Sequence, residues 1–167
     1  VGEKYFNFYR TEIPEMVPNY VDQFTAKLQA ESSVLELGCG NGLPVAATLT
    51  QQFRVTGVDV SEKQIERARS NVPKAEFLVS DMTKLDYPSD SFGGVVALYS
   101  IIHLPRELHG DLFKSIYSWL KPGGVFLATL ASTESEIWIE DDWFGAPMYW
   151  SGYSPDRTKE MIKESGF

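Results

Sequence analysis

Val34-Leu35-Glu36-Leu37-Gly38-Cys39-Gly40-Asn41-Gly42 is an apolar run that breaks into a loop with glycine at three alternate positions. Leu43-Pro44-Val45-Ala46-Ala47-Thr48-Leu49 follows and reads as the start of a helix running to about Gln52. Strand, glycine loop and helix, in that order, open a nucleotide-binding α/β unit. Glycine is needed there because the backbone must turn sharply and let a ligand approach to contact distance. A βα turn that merely holds glycines would look the same, so the flanking chain has to decide.

Arg54-Val55-Thr56-Gly57-Val58-Asp59-Val60 reads as a second strand ending on an acid. An acid in that place can accept hydrogen bonds from both hydroxyls of a ribose. It could equally cap the next helix, but Ser61, leading into Glu62-Lys63-Gln64, competes for that role. A nucleoside-containing cofactor is therefore expected. Two details select among nucleosides. A dinucleotide fingerprint wants glycine at the sixth place of its motif, and that place, counted from Gly38, is Leu43. Glu36 stands two residues before the first glycine, where a carboxylate repels a pyrophosphate but suits an ammonium group.

The stretch from Val34 to Gly42 closely resembles the first motif of the class I S-adenosylmethionine-dependent methyltransferases, and further motifs continue the resemblance from about Ser33 to Gly124. The resemblance implies a Rossmann-like doubly wound α/β sheet with strand order 3-2-1-4-5. It implies S-adenosylmethionine as cofactor, with S-adenosylhomocysteine as product. The loop of Glu36, Gly38, Cys39, Gly40 and Gly42 would pack against the amino-acid end. Asp59, next to Val60, would hold the ribose. Asp81, just past the third strand, would accept from the adenine amino group, with Met82 against the ring and Leu98 beside them. Gly93 departs from the pattern, since most members carry an aspartate after the aromatic residue that Phe92 represents. Lys121-Pro122-Gly123-Gly124 matches the turn before the fifth strand.

A chain of 167 residues with 43% hydrophobic content suits one domain with a real core. The expected division is an N-terminal cap or lid (1–29), a cofactor-binding core (33–130), an aromatic substrate-side segment (131–153) and a last helix (154–167). No apolar run approaches the ~18 residues of a membrane span, and no secretory signal is visible, so a cytoplasmic location is expected. The single cysteine excludes an intrachain disulfide framework and a Cys-rich zinc site; Cys39 reads as a small residue that fits. A formal net charge of −8, without a run of basic residues, speaks against nucleic acid and leaves a small molecule as the expected substrate.

Before the first strand, Tyr5, Phe6, Phe8 and Tyr9 form an aromatic cluster, and Pro14 and Pro18 separate it from a helix whose Val21, Phe24 and Leu28 share a face. The cluster reads as sheet packing or as a lid. Ser33 to Leu37 lacks alternation, as a strand buried on both sides should. Ser61 is expected to cap a helix with Ile65 and Ala68 inward, closing near Pro73. Further strands are expected at Ala75–Val79, Phe92–Leu98 and Val125–Leu130. Between the last two lies a helix from Pro105 to Leu120, with Leu108, Leu112, Ile116 and Trp119 or Leu120 inward. Three of the four tryptophans, Trp138, Trp143 and Trp150, fall close together beside Glu140, Asp141 and Asp142. Those acids are expected to be solvated, with no metal bound, and the segment reads as covering the core or as walling a substrate pocket, where acids beside tryptophans suit an amine or another cationic group.

Methyl transfer from a sulfonium needs mainly proximity, alignment and exclusion of water, with a general base where the nucleophile must lose a proton. His103, past the fourth strand, is the candidate base, although a structural histidine at a helix start would read the same. His109 is expected on a helix surface. The expected function is methyl transfer to a small-molecule acceptor. A non-catalytic cofactor-binding module and a nicotinamide-dependent oxidoreductase are the alternatives, and Leu43 and Glu36 speak against the latter. Ser165-Gly166-Phe167 resembles the helix end before a sixth strand, so the family's antiparallel strand pair is expected to be missing. The edge of the fifth strand would then be open to self-association, with truncation as the expected reason.

Overall fold

A computed structural model describes residues 16–167; the cluster from Tyr5 to Tyr9 lies outside them. The element order is α1 (Met16–Thr25), β1 (Ser33–Leu37), α2 (Val45–Leu49), β2 (Arg54–Asp59), α3 (Glu62–Asn71), β3 (Glu76–Val79), β4 (Phe92–Ala97), α4 (His109–Trp119), β5 (Leu120–Ala128), β6 (Ser135–Glu140), β7 (Met148–Gly152) and α5 (Pro155–Glu164). The first five strands form one parallel sheet in the order β3-β2-β1-β4-β5, as the resemblance implied. β6 and β7 form a separate antiparallel pair.

The central strands β1 and β4 are largely apolar, Ser33 and Glu36 excepted, because both faces of the sheet are covered. Val34 and Val96 belong to one layer, beneath Val21, Phe24, Leu49, Ile65 and Ala68 of the first three helices. Leu35, Leu37, Val95 and Ala97 belong to the other, beneath Leu112, Phe113, Ile116 and Met161 of α4 and α5. Phe24 lies over Gly94, where an added Cβ would stand only 2.5 Å from its Cζ, so the strand is glycine where the helix comes closest.

Several boundaries differ from the sequence reading. Pro18 lies inside α1 rather than before it. It occupies the first turn, where the N–H it lacks has no intrahelical partner to lose. α2 ends at Leu49, and Gln51 and Gln52 continue only as tight turns onto the Thr48 and Leu49 carbonyls. The expected helix from Pro105 begins as a separate 3₁₀ turn, Arg106–Leu108, before α4 starts at His109. That change of phase leaves Leu108 40% exposed rather than inward and turns His109, 4% exposed, into the interior instead of the surface. β5 first meets β4 at Leu120, opposite Phe92; Lys121–Gly124 is then looped out, and the regular ladder runs from Val125 to Ala128.

The segment read only as aromatic is a hairpin between β5 and α5. Trp138 stacks on Trp150 across it (4.8 Å, 27°), and Trp143 meets Trp150 edge-on at 5.0 Å. Arg106 ties the start of the hairpin down, bonding Glu134 at 3.2 Å and Glu136 at 2.7 Å while lying 4.9 Å from the Tyr153 ring centroid. Among the described residues β5 has no strand partner on its outer side.

Phe24 is 2% exposed, so Phe24→Ala should destabilise the fold by ~3–5 kcal/mol through lost burial and a residual cavity. Urea unfolding of the two proteins measures this; a loss below ~1 kcal/mol would mean that α1 is not part of the core.

Candidate functional site

The connection reverses direction between β1 and β4, and that is where ligands enter open α/β sheets, at the strands' carboxyl ends. A cleft of about 820 Å³ opens there. One wall is the glycine loop after β1. Gly38 N–H and Cys39 N–H both donate to the Val58 carbonyl, at 2.7 and 2.9 Å, which fastens the loop to the end of β2. Gly40 N–H donates to Asp59 Oδ2 at 2.9 Å.

Two glycines meet different demands. Gly38 (φ +75°) packs on Ser100, whose Cβ would stand 2.3 Å from an added Cβ. Ser100 is itself held by a 2.7 Å bond from its hydroxyl to the Leu37 carbonyl. Among the described residues, Gly40 (φ +52°) has nothing within 4 Å of the place a Cβ would take. At Gly40 the requirement is thus the left-handed backbone and open space beside the cleft, not packing.

The sequence-selected residues converge on this cleft. Glu36, Gly38, Cys39, Gly40, Asp59, Val60, Asp81, Met82, Leu98 and His103 all line it. Gly42 does not. It faces Val72, Phe77 and Ala68 and packs the loop against α3 and β3. Asp59 holds two backbone amides, Gly40 N–H and Ser61 N–H (2.8 Å), while Ser61 caps α3 by accepting from Gln64 N–H. The helix-cap role at this corner therefore falls to Ser61. Asp81 caps a 3₁₀ turn through Thr83 N–H and hydroxyl at 2.9 and 2.7 Å, and these bonds hold its carboxyl below the usual range. The sulfur of Cys39 lies against Gly57; burial first, then the Glu36 and Asp59 carboxylates, push the thiol up and keep it protonated.

Glu36 is the anomaly. It is 5% exposed, and its Oε2 has no hydrogen-bond partner among the described residues. Burial, and secondarily Asp59, push it up to about 8. A buried carboxyl oxygen left unpaired is costly, and it marks a place where a partner is wanted.

The opposite wall comes from β4's end and from the hairpin. Tyr99 adopts a left-handed φ of +52°, rare for a bulky residue, and its N–H is held by the Thr129 hydroxyl. His103 sits on a 3₁₀ turn, Ile101–His103, with Nδ1 2.7 Å from the Tyr149 carbonyl. Burial, partly opposed by that bond, lowers its pKa. Tyr99, Ser100 and Met148 also line the cleft and were not selected from the sequence. The first two directly follow a strand end, a usable signal; Met148 reaches the cleft only through hairpin pairing. Asp142 accepts from Gly145 N–H at 2.8 Å and so belongs to the hairpin loop, and Asp141 is exposed. Among the described residues no group of three metal-ligating side chains stands together, and no helix is long and apolar enough to cross a membrane.

A family model described as a methyltransferase domain matches residues 34–124, more than half of the chain. The chain belongs to this family. A 27-O-demethylrifamycin SV methyltransferase of Amycolatopsis mediterranei is 38% identical over 104 residues, covering 58% of this chain and 38% of that protein. A phosphoethanolamine N-methyltransferase of Triticum aestivum is 29% identical over 161 residues, covering 92% of this chain and 31% of that protein. The chain thus spans well under half the length of these two curated relatives. A solved DhpI–SAH complex shares the fold, with TM-score 0.77 and 21% identity over 99% of this chain and 81% of that one.

Glu36 makes stability pH-dependent in this methyltransferase-family chain. Its folded pKa is raised, so its contribution is fully present below the unfolded value of 4.5 and is lost as pH rises through about 8. Glu36→Gln should remove that dependence, and on the order of 4 kcal/mol of relative destabilisation between pH 5 and 9 should disappear with it. Urea titrations of both proteins across that range test this; parallel curves would show that Glu36 does not titrate late.

Proposed function

We propose that this chain binds S-adenosylmethionine and transfers its methyl group to a small-molecule acceptor. The observation that carries this reading is Glu36: a buried carboxyl with an oxygen that has no partner among the described residues, beside a glycine cradle that those residues leave open at Gly40. A pyrophosphate would meet two acids here, Glu36 and Asp59, and no helix N-terminus of useful length, since α2 is five residues long. A ligand bearing an ammonium at one end and a ribose in the middle fits the same residues. S-adenosylmethionine supplies an electrophilic methyl on a sulfonium.

In this reading Glu36 receives the ammonium, and Gly38, Cys39, Gly40 and Gly42 form or brace the cradle for the amino-acid end. Asp59 holds the ribose. Each of its oxygens already accepts one backbone N–H, and each keeps a second lone pair for a hydroxyl. Asp81 and Met82 take the adenine end, with Val60 and Leu98 against it. His103 stands across the cleft as general base, its ring neutral near pH 7 because burial lowers its pKa. The two relatives are named as an oxygen-directed and a nitrogen-directed methyltransferase, which supports a small acceptor and leaves its reacting atom open.

Asp59→Ala should weaken S-adenosylhomocysteine binding by ~2 kcal/mol, because charge-assisted hydrogen bonds contribute roughly 1.5–3 kcal/mol. An unchanged dissociation constant by calorimetry would remove the ribose assignment. A parallel titration with NAD separates the oxidoreductase alternative. His103→Ala should lower turnover on a substrate panel by on the order of 100-fold with cofactor affinity kept. Equal turnover would assign the chemistry to proximity alone, and no turnover by the unaltered chain on any acceptor would favour a binding module.

A further inference from the structure

The chain has two histidines, His103 and His109. Both rings are tied to backbone carbonyls around one turn. His103 Nδ1 lies 2.7 Å from the Tyr149 carbonyl, and His109 Nε2 lies 3.3 Å from the Leu104 carbonyl. A carbonyl oxygen only accepts, so the hydrogen of a neutral His103 sits on Nδ1. A neutral imidazole carries one N–H. The lone pair of His103 is therefore at Nε2.

The tie to His103 is not a single contact. Ser151 is 2% exposed, and its hydroxyl donates to the Leu104 carbonyl. Tyr149 and Ser151 lie two apart on β7, and His103 and Leu104 are adjacent on the turn, so the strand grips the turn at two points. Trp150, between the two gripping residues, places its ring 5.6 Å from the His103 ring. An unpinned strand would let the imidazole rotate or exchange its tautomer, and either nitrogen could then carry the hydrogen.

We propose that β7 is a positioning strand: the Tyr149 carbonyl and the Ser151 hydroxyl together hold His103 as the Nδ1–H tautomer, so that Nε2 is the basic atom presented by this wall of the cleft. The proposal deepens, and in that sense rests on, the assignment of His103 as general base. Ser151 is a positioning residue in it. It acts on the base through Leu104 and the strand register, and the aromatic hairpin becomes the part of the chain that sets which nitrogen is basic. A serine that only stabilised the hairpin would alter the melting temperature and leave the tautomer as it is.

The test is long-range nitrogen–proton correlation NMR of the ¹⁵N-histidine-labelled full chain near neutral pH, with His103→Ala used to assign the two rings. The expected result is an Nδ1–H tautomer for His103 in the unaltered protein and a mixture of both tautomers in Ser151→Ala. Should Ser151→Ala not fold, Ser151→Cys, a weak donor of similar shape, takes its place with the same expectation. A hydrogen on Nε2 of His103 in the unaltered protein would overturn the proposal. So would a folded Ser151 variant that keeps the unaltered tautomer. The spectrum needs neither cofactor nor acceptor. A wrong assignment of the reaction would therefore appear in the binding and turnover measurements without touching this result.

Discussion

The site depends on one carboxylate holding two backbone amides. Asp59 joins Gly40 N–H on one loop to Ser61 N–H on the next, at 2.9 and 2.8 Å. With the two bonds from Gly38 and Cys39 to the Val58 carbonyl, it welds the β1 loop to the end of β2. Within the loop a Gly42-to-Cys39 backbone bond closes the turn, and on its far side Asn71 Nδ2 donates to the Asn41 carbonyl at 3.0 Å. The consequence is electrostatic. Fixing the Asp59 charge at the loop raises Glu36 further than burial alone would. The chain thus keeps a partly destabilised acid beside a rigid cradle, the arrangement expected where a binding site is organised before its ligand arrives.

The part of this that was legible in the sequence is the part governed by local rules. Glycines at alternate positions after an apolar run specify the loop. An acid closing the second apolar run specifies Asp59, and a serine before Glu-Lys-Gln specifies the cap of α3. Each rests on backbone chemistry within a few residues. The strand order came from the resemblance and not from any local rule, since parallel pairing joins residues with no sequence relation.

What was not legible depends on phase and on pairing across a loop. His109 was expected on the surface because a helix was drawn straight from Pro105. The 3₁₀ turn at Arg106–Leu108 rotates everything after it, so that Leu108 is exposed and His109 buried. Nothing in Pro105-Arg106-Glu107-Leu108 distinguishes a 3₁₀ turn from a first α-helical turn. The hairpin was missed for a different reason. Ser135–Glu140 does not alternate: Ile137, Trp138 and Ile139 are all more than half exposed. A strand with both faces open carries no period of two.

The two walls of the cleft therefore have different origins. The wall that carries the glycine loop is built from strand ends that are adjacent in the sheet, and the sheet itself aligns them. The opposite wall includes residues of a hairpin that pairs with no strand of that sheet and is attached by side-chain and carbonyl contacts: Arg106 to Glu134 and Glu136, Ser151 to Leu104, Tyr149 to His103. None of these attachment residues belongs to that parallel sheet or to the glycine loop. A fold divided this way can keep one cofactor chemistry while the second wall varies with the acceptor, which is the physical sense in which function lies in a site grafted on a fold.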